Sequence, residues 1–290
     1  MDVAVITIVP IFSIIALGYA LAGGRFGFHL PTLADLALLV TSPALMFSVL
    51  SGTHLEARQW GALAGGTVWI AAGTALLALA YLGRSLRRRR GLLLPAVFWN
   101  AGNMGLASAR LAFGPEGLAA GAVVFVTMAV LSSTFGIWIA KGENGLREAL
   151  RLPLIYASGG GILLALTDTE LPRLMMEPIE MLGQMAIPLM LLNLGLQLRK
   201  LRVTDLSPAL VAVAIRMGGG VAFALLFVVV FGVSGLERQI LLLNSVMPAA
   251  VINAVFAQRY ATDPSLVASA IVVGTLASVL AIPAVLLWAG

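Results

Sequence analysis

Two short stretches of the sequence hold neutral polar side chains in apolar surroundings, where they could bind a ligand without covalent chemistry. The first, NAGNMG, contains Asn100, Gly102, Asn103 and Gly105. Side-chain amides both donate and accept hydrogen bonds, and glycine costs about 1 kcal/mol in a helix. This stretch therefore predicts an interrupted helix whose amides and free backbone groups bind a substrate.

The second stretch, NSVMPAAVINA, has the same character. It contains Asn244, Ser245, Pro248 and Asn253, and an interior proline costs about 3 kcal/mol in a helix. Two facing interruptions would direct half-helix ends at one point, and the N-terminal ends favour an anion. The alternative is a packing role, because asparagine also joins membrane helices and glycine lets them approach closely.

The residue types needed for covalent or metal-dependent catalysis are scarce. The chain has no cysteine and two histidines, His29 and His54, both in predicted loops. It has no GxxxxGK[ST] motif, no HExxH motif and no Ser–His–Asp arrangement, so we expect no enzyme, no cofactor and no metal site. A proton relay of buried carboxylates is disfavoured as well, because no Asp or Glu lies in the middle of a predicted span and the nearest ones lie toward the span ends. These residues are Asp35, Glu177, Glu180 and Glu237.

The composition predicts that these stretches belong to an all-α polytopic membrane protein. Hydrophobic residues make up 60% of the 290 and charged residues 11%, against about 45–50% and about 25% in soluble domains. Ten segments are long enough to cross a hydrocarbon core of about 30 Å as helices. The first segment lacks the cationic start of a secretion signal, so we interpret it as a span. The predicted spans are 2–23, 32–52, 59–82, 91–112, 116–140, 151–167, 174–198, 206–231, 236–260 and 264–289.

Basic residues are unevenly divided between the connections of these spans. The odd-numbered connections carry 13 of the 18 lysines and arginines, and the even-numbered ones carry four. Because cytoplasmic loops retain such residues, both termini are predicted to lie outside the cytoplasm of a cell-membrane protein. The run RSLRRRR is expected to anchor this orientation beside anionic lipid heads, rather than to bind nucleic acid or a regulatory lipid. The 13 are Arg25, Arg84, Arg87, Arg88, Arg89, Arg90, Lys141, Arg147, Arg151, Arg199, Lys200, Arg202 and Arg259; the four are Arg58, Arg110, Arg173 and Arg238.

Residues of the same type recur in the two halves of the chain at a separation of 144 or 145 positions. This recurrence predicts two units, 1–145 and 146–290, each with five spans. An odd number of spans makes the second unit enter the membrane from the opposite face, and inverted repeats of this kind are typical of secondary transporters. The matched pairs are Pro43 with Pro188, Asp35 with Glu180, and Asn100 with Asn244.

Three further residues lie within predicted spans. Pro43 and Pro188 are predicted to kink or hinge spans two and seven. Arg216 lies near the middle of span eight, where a cation costs at least about 2.5 kcal/mol. It would either attract an anionic substrate or tie span eight to neighbouring broken backbone.

Four segments resemble the auxin efflux carrier family, and the resemblance extends over essentially the whole chain. The last is the most specific, especially in its MPAA…AQRY part. Bacterial relatives in this family include permeases described for malate and malonate. The segments are PALMFSVLSG, NAGNMGLASARLAFGPEGLAAGAV, IPLMLLNLGLQL and MPAAVINAVFAQRYATDPSLVASAIVVGTLASVLAIP.

The resemblance implies a ten-helix fold of two inverted five-helix repeats, similar to the bile acid–sodium symporters. Spans four and nine would cross at their breaks beside the substrate, with residues 100–105 and 247–250 at the matching positions. Spans one, two, six and seven would form a scaffold and a homodimer, while spans three to five and eight to ten would move as an elevator. The chain lacks the long central loop of the large plant carriers, so regulation by that loop is not expected.

Together these features predict a secondary active transporter for a small organic anion, a mono- or dicarboxylate, in the lipid bilayer. A proton or sodium ion could be coupled to it, and no nucleic-acid partner is expected. Three alternatives stay open: a sodium-coupled symporter like the bile acid carriers, a membrane sensor that binds without translocating, and a channel.

Overall fold

In a computed structural model, the described parts of the chain are mainly helical; they are residues 3–24, 27–53, 55–83, 89–142 and 145–289. No β-strand is found within these ranges, apart from one isolated bridge. Several residues that entered the charge and histidine arguments lie outside the described residues. They are Arg25, His54, Arg84, Arg87 and Arg88.

The first half of the chain contains seven described α-helices, and π turns join some of them into longer helical stretches. The π turns are Ala37–Thr41, Ala101–Leu106 and Ser132–Gly136. The helices are α1 (Val3–Leu21), α2 (Leu30–Leu36), α3 (Ser42–Ser51), α4 (Ala57–Leu82), α5 (Leu93–Val97), α6 (Ala107–Leu131) and α7 (Ile137–Lys141).

The second half contains nine described α-helices, and a fourth π turn, Ala214–Gly219, lies between two of them. The helices are α8 (Leu146–Ala149), α9 (Pro153–Leu166), α10 (Arg173–Gln184), α11 (Ala186–Leu198), α12 (Leu206–Val213), α13 (Gly220–Phe231), α14 (Gly235–Ser245), α15 (Ile252–Arg259) and α16 (Pro264–Ala289).

Seven helical stretches of the described chain are long and apolar enough to cross a membrane. Their outer surfaces carry large aliphatic side chains, such as Leu280 at 78% exposure and Val229 at 77%, as expected of surfaces that contact lipid. The protein is therefore a multi-pass helical membrane protein. The stretches are Val3–Leu21, Leu30–Ser51, Ala57–Leu82, Ala101–Lys141, Arg173–Leu198, Leu206–Phe231 and Pro264–Trp288.

The difference between seven stretches and the ten predicted spans has local causes. Predicted span nine is divided between α14 and α15, and predicted span four begins with the five-residue helix α5. Helix α9, in predicted span six, has 14 residues. The remainder of span four and all of span five belong to the single stretch Ala101–Lys141. The count of ten and the inverted repeat stay predictions.

The stretch Ala101–Lys141 reverses direction at Gly114. Gly114 has φ of 66° and ψ of −152°, and Pro115 follows it. A Cβ atom on Gly117 would overlap the carbonyl oxygen of Ala109, and one on Gly121 would lie 3.0 Å from the Ala109 side chain. Residues eight positions apart in a straight helix are separated by about 12 Å, so these contacts require a helical hairpin. Its turn falls between predicted spans four and five.

Two helix pairs pack closely outside this hairpin. Helix α1 packs along α11, and α3 packs along α9. Glycine permits both contacts, because a Cβ atom on Gly195 would lie 2.8 Å from the Tyr19 nitrogen and one on Gly161 would lie 2.8 Å from the Phe47 carbonyl oxygen. The first and third helices are therefore in backbone contact with their partners, as small residues allow in membranes.

Candidate functional site

The two polar stretches meet at one point in the structure. Helix α5 ends at Val97 and α14 ends at Ser245, and the chain between each of these ends and the next helical turn is irregular. Trp99 and Ala249 form an antiparallel bridge there. The Asn100 N–H donates to the Pro248 carbonyl at 2.8 Å, and the Ala250 N–H donates to the Phe98 carbonyl at 3.0 Å. We call residues 98–105 and 244–253 the crossing.

The bridge satisfies backbone groups that the interruptions release. Proline has no N–H and cannot continue a helix, and irregular backbone at membrane depth needs partners from the protein or from a water-filled cavity. Beyond the bridge the chain becomes helical again at Ala101 and at Ile252. Asn100 caps the first of these segments, since its Oδ1 accepts from the Asn103 N–H at 3.1 Å. Two helix C-termini and two N-termini therefore converge.

Two polar side chains of the crossing already have hydrogen-bond partners within the protein. Asn244 Oδ1 accepts from the indole N–H of Trp99 at 3.2 Å, and Asn244 Nδ2 donates to the Ile240 carbonyl at 3.0 Å. The Ser245 hydroxyl donates to the Leu242 carbonyl at 2.6 Å. Both residues are buried. The bond from Trp99 joins α14 to the other interruption, and the other two bonds lie within α14.

Other polar groups of the crossing are unused. Asn100 Nδ2 and Asn253 Oδ1 are buried and have no hydrogen-bond partner among the described residues. Asn253 Nδ2 donates to the Phe98 carbonyl at 2.9 Å. Asn103 is partly exposed, and its side chain forms no hydrogen bond within the described ranges. An unpaired buried polar group costs about 1–3 kcal/mol, so these amides are the groups that a ligand could satisfy.

The two glycines predicted to bind substrate are packed against protein. A Cβ atom on Gly102 would lie 2.7 Å from the Phe125 ring, and one on Gly105 would lie 2.8 Å from Asn244 Oδ1. Glycine at these positions lets the first interruption approach the returning arm of the hairpin and α14. The contacts therefore agree with the packing interpretation for both glycines.

The two predicted hinge prolines lie on helices that do not form the bridge. Pro43 is the second residue of α3 and follows the π turn Ala37–Thr41, and Pro188 is the third residue of α11, just after α10 ends. Each proline therefore starts a new helical segment within a longer stretch. The hinge role stays a prediction.

Arg216 contacts both interruptions. Its guanidinium donates from Nη1 to the Val97 carbonyl at 3.4 Å and from Nη2 to the Ser245 carbonyl at 3.2 Å. It also lies 4.5 Å from the centre of the Trp99 ring. The side chain is 1% exposed. Of the two interpretations of Arg216, these contacts agree with a tie to the broken backbone.

Two residues of this region were not identified from the sequence. Trp99 joins the two interruptions, but an aromatic side chain in an apolar stretch gives no sign of such a role. Asn193, on α11, is 5% exposed, and its Oδ1 has no partner in the described structure. Helix α11 packs against the π turn Ala101–Leu106. An amide within IPLMLLNLGLQL was the signal that could have pointed to Asn193.

Two surface clefts lie elsewhere, and no crossing residue lines either of them. One, of about 460 Å³, lies between α4 and α13 and includes Trp69 and Phe227. The other, of about 330 Å³, lies beside the loop before α10 and includes Ser51 and Glu177. Within the described ranges, no group of three or more His, Asp or Glu side chains could hold a metal ion.

Comparison with known proteins identifies the family. The family described as membrane transport protein matches residues 138–288. A relative called an uncharacterized transporter, from Methanocaldococcus jannaschii, is 30% identical over 203 residues, which cover 66% of each chain. Another of the same description, from Methanothermobacter thermautotrophicus, is 26% identical over 297 residues, covering 96% of this chain and 95% of its own.

A plant protein shows the link to auxin carriers. Auxin efflux carrier component 7 of Arabidopsis thaliana is 25% identical over 137 residues, which cover 45% of this chain and 22% of its own. The chain spans about two thirds of the length of the first archaeal relative and nearly all of the second. The family match and the membrane-spanning helices together identify the protein as a membrane transporter of the auxin efflux carrier family.

Proposed function

We propose that this transporter is a secondary active carrier for a small organic anion, a mono- or dicarboxylate, and that the anion binds at the crossing. The observation that carries the proposal is the antiparallel bridge between Trp99 and Ala249. Through it, four helix ends and the unused amide groups of Asn100, Asn103 and Asn253 come together within the fold.

The chemistry of the crossing favours an anion. The helical segments that begin at Ala101 and Ile252 present N-terminal ends, which carry partial positive charge. Asn100 Nδ2 is an unpaired donor. The buried polar side chains of the described residues include no Asp or Glu, so no fixed negative charge would repel a carboxylate.

The packing supports an elevator-type movement. The bridge, Arg216 and the hairpin all belong to predicted spans three to five and eight to ten, and we propose that they move as one body. Helices α1, α3, α9 and α11 of the remaining spans form their own close pairs. We propose that this second group is the fixed scaffold and that it forms the homodimer interface.

The same pairs support two inverted units, 1–145 and 146–290. The α1–α11 contact joins spans one and seven, and the α3–α9 contact joins spans six and two. Exchanging the two units turns one contact into the other. We therefore propose ten spans in two inverted repeats, with both termini outside the cytoplasm.

Flux through purified protein in lipid vesicles tests the proposed function. A panel of radiolabelled mono- and dicarboxylates is offered with proton and sodium gradients imposed separately. We expect saturable uptake of at least one carboxylate and counterflow against an unlabelled internal pool. Flux that rises linearly with concentration would instead indicate a channel, and binding without flux would indicate a sensor. Flux strictly dependent on a sodium gradient would favour the symporter alternative.

A further inference from the structure

We propose that Arg216 supplies the fixed positive charge that a coupling cation would otherwise supply at the crossing, so that the carrier needs no sodium. The consequence for transport rests on the proposed function. The electrostatic part does not, because it concerns the stability of the crossing and can be measured on purified protein without a substrate.

The Arg216 guanidinium lies at the ends of two helices. Val97 is the last residue of α5 and Ser245 is the last residue of α14. The C-terminal ends of helices carry partial negative charge and carbonyl groups without helical partners. Arg216 donates one hydrogen bond to each of these two carbonyls, at 3.4 Å and 3.2 Å. A single guanidinium cation therefore donates a hydrogen bond to the carbonyl at each of the two helix ends.

The surroundings of the guanidinium are shaped to hold it. A Cβ atom on Gly220 would overlap Arg216 Nη2 and would lie 2.5 Å from the Ser245 carbonyl oxygen. Only glycine leaves this space free. The Trp99 ring covers the guanidinium at 4.5 Å, a cation–π distance. No carboxylate pairs with Arg216 among the described residues, so carbonyls and an aromatic ring are its counter-groups.

Backbone carbonyls at the ends of broken helices can also coordinate metal cations. In transporters with broken helices, unwound carbonyls and the C-terminal ends of half-helices coordinate sodium ions. Arg216 occupies that chemical environment with a permanent charge, since arginine stays protonated in proteins. A sodium ion beside it would meet both charge repulsion and carbonyls that are already bonded. The Arg216 side chain therefore provides the positive charge that a bound sodium ion would provide at this place.

Removing the side chain should uncover the cation site. In Arg216→Ala, the Val97 and Ser245 carbonyls would face a vacated space of guanidinium size. We expect the thermal midpoint of this variant in choline chloride to fall by about 5 °C or more. We expect millimolar guanidinium or sodium to restore part of the loss in a saturable manner. Arg216→Lys keeps a charge, so it should show no gain in sodium dependence.

The wild-type protein and two matched controls complete the experiment. The wild type and Arg110→Ala, which changes an exposed arginine, should have the same midpoint in choline and sodium at equal ionic strength. Gly220→Ala should lower the midpoint by displacing the guanidinium. Gly218→Ala should not, because a Cβ atom there meets nothing within 4 Å.

Either of two results would overturn the inference. One is saturable stabilisation of the wild type by sodium; the other is an Arg216→Ala midpoint that is the same in every salt. If Arg216→Ala does not fold, the inference is tested on the wild type alone. Its thermal midpoint must be the same in choline and in sodium, and its carboxylate flux in sodium-free vesicles must equal its flux in sodium. Absence of all carboxylate flux would reject the proposed function and leave the stability result intact.

Discussion

The asparagine side chains of the crossing differ in how many of their hydrogen-bonding groups are used. Both polar atoms of Asn244 are bonded, to Trp99 and to the Ile240 carbonyl. Asn100 and Asn253 each keep one buried atom without a partner among the described residues. Asn244 therefore holds the crossing together, whereas Asn100 and Asn253 each keep one polar atom free to bind a ligand.

The first prediction concerns the holding role of Asn244. Asn244→Ala leaves the buried Trp99 N–H without its acceptor, so we expect a loss of about 1–3 kcal/mol in stability. Thermal unfolding in detergent would measure it. Trp99→Phe should lose a similar amount, and the double variant should lose less than the sum of the two. Strict additivity would mean that the two side chains do not interact.

A functional role for the polar residues in the two stretches could be predicted from the sequence, but their hydrogen-bond partners could not. Trp99 and Asn244 are 145 positions apart in the sequence, and nothing local links an indole to a distant amide. Arg216 is similar, because its cost in a membrane is apparent from the sequence whereas the two carbonyls that compensate for it are not. Partners of this kind depend on the tertiary fold.

At the scale of elements, the two interruptions are of different length. The bridge pairs residues 150 positions apart, whereas the sequence matches suggested 144 or 145. The second interruption contains extra irregular residues, so Asn244 precedes its break while Asn100 follows the end of α5. Asn103 and Asn253 are the pair separated by 150. Matching residue types alone could not reveal a length difference within irregular backbone.

The second prediction concerns the hairpin turn at Gly114. Its φ of 66° with ψ of −152° is open essentially to glycine alone, and a Cβ atom there meets nothing within 4 Å. Gly114→Ala should therefore cost about 1–3 kcal/mol through backbone strain alone. Gly159→Ala in α9 also meets nothing within 4 Å and should be neutral or slightly stabilising. Equal thermal midpoints for the two variants would contradict the turn.

The third prediction concerns the contact between α1 and α11. A Cβ atom on Gly195 would overlap the Ile15 carbonyl oxygen. Gly195→Ala should force these helices apart and cost about 1–3 kcal/mol. The midpoint of thermal unfolding checks this, again with Gly159→Ala as the control. A wild-type midpoint for Gly195→Ala would mean that the two helices are not in backbone contact.

At the scale of the whole molecule, composition was sufficient to predict a polytopic helical protein, and the quoted segments were sufficient to predict its family. Lipid-facing side chains such as Leu280 are apolar because of their surroundings, so hydropathy reports them directly. The boundary near Gly114 was also predictable from glycine and proline. Which helices pair could not be predicted, because contacts such as Gly195 with Ile15 leave no local pattern.

The fourth prediction concerns orientation. Leu150 and Thr169 flank α9 and are exposed, and the chain has no cysteine of its own. On intact cells, a membrane-impermeant maleimide should label Thr169→Cys and should label Leu150→Cys only after permeabilisation. This follows from the excess of basic residues in the connection that contains Leu150. The reverse labelling pattern would place the termini in the cytoplasm.

The most direct test of the central claim, that an organic anion is carried at the crossing, is carboxylate counterflow in vesicles. Asn103→Ala removes a partly exposed, unpaired amide, so we expect flux to fall about ten-fold or more at an unchanged thermal midpoint. Ser51→Ala, in the cleft beside α10, should transport like the wild type. Wild-type flux in Asn103→Ala would contradict anion binding at the crossing, and loss of flux in Ser51→Ala would point to the cleft beside α10 instead.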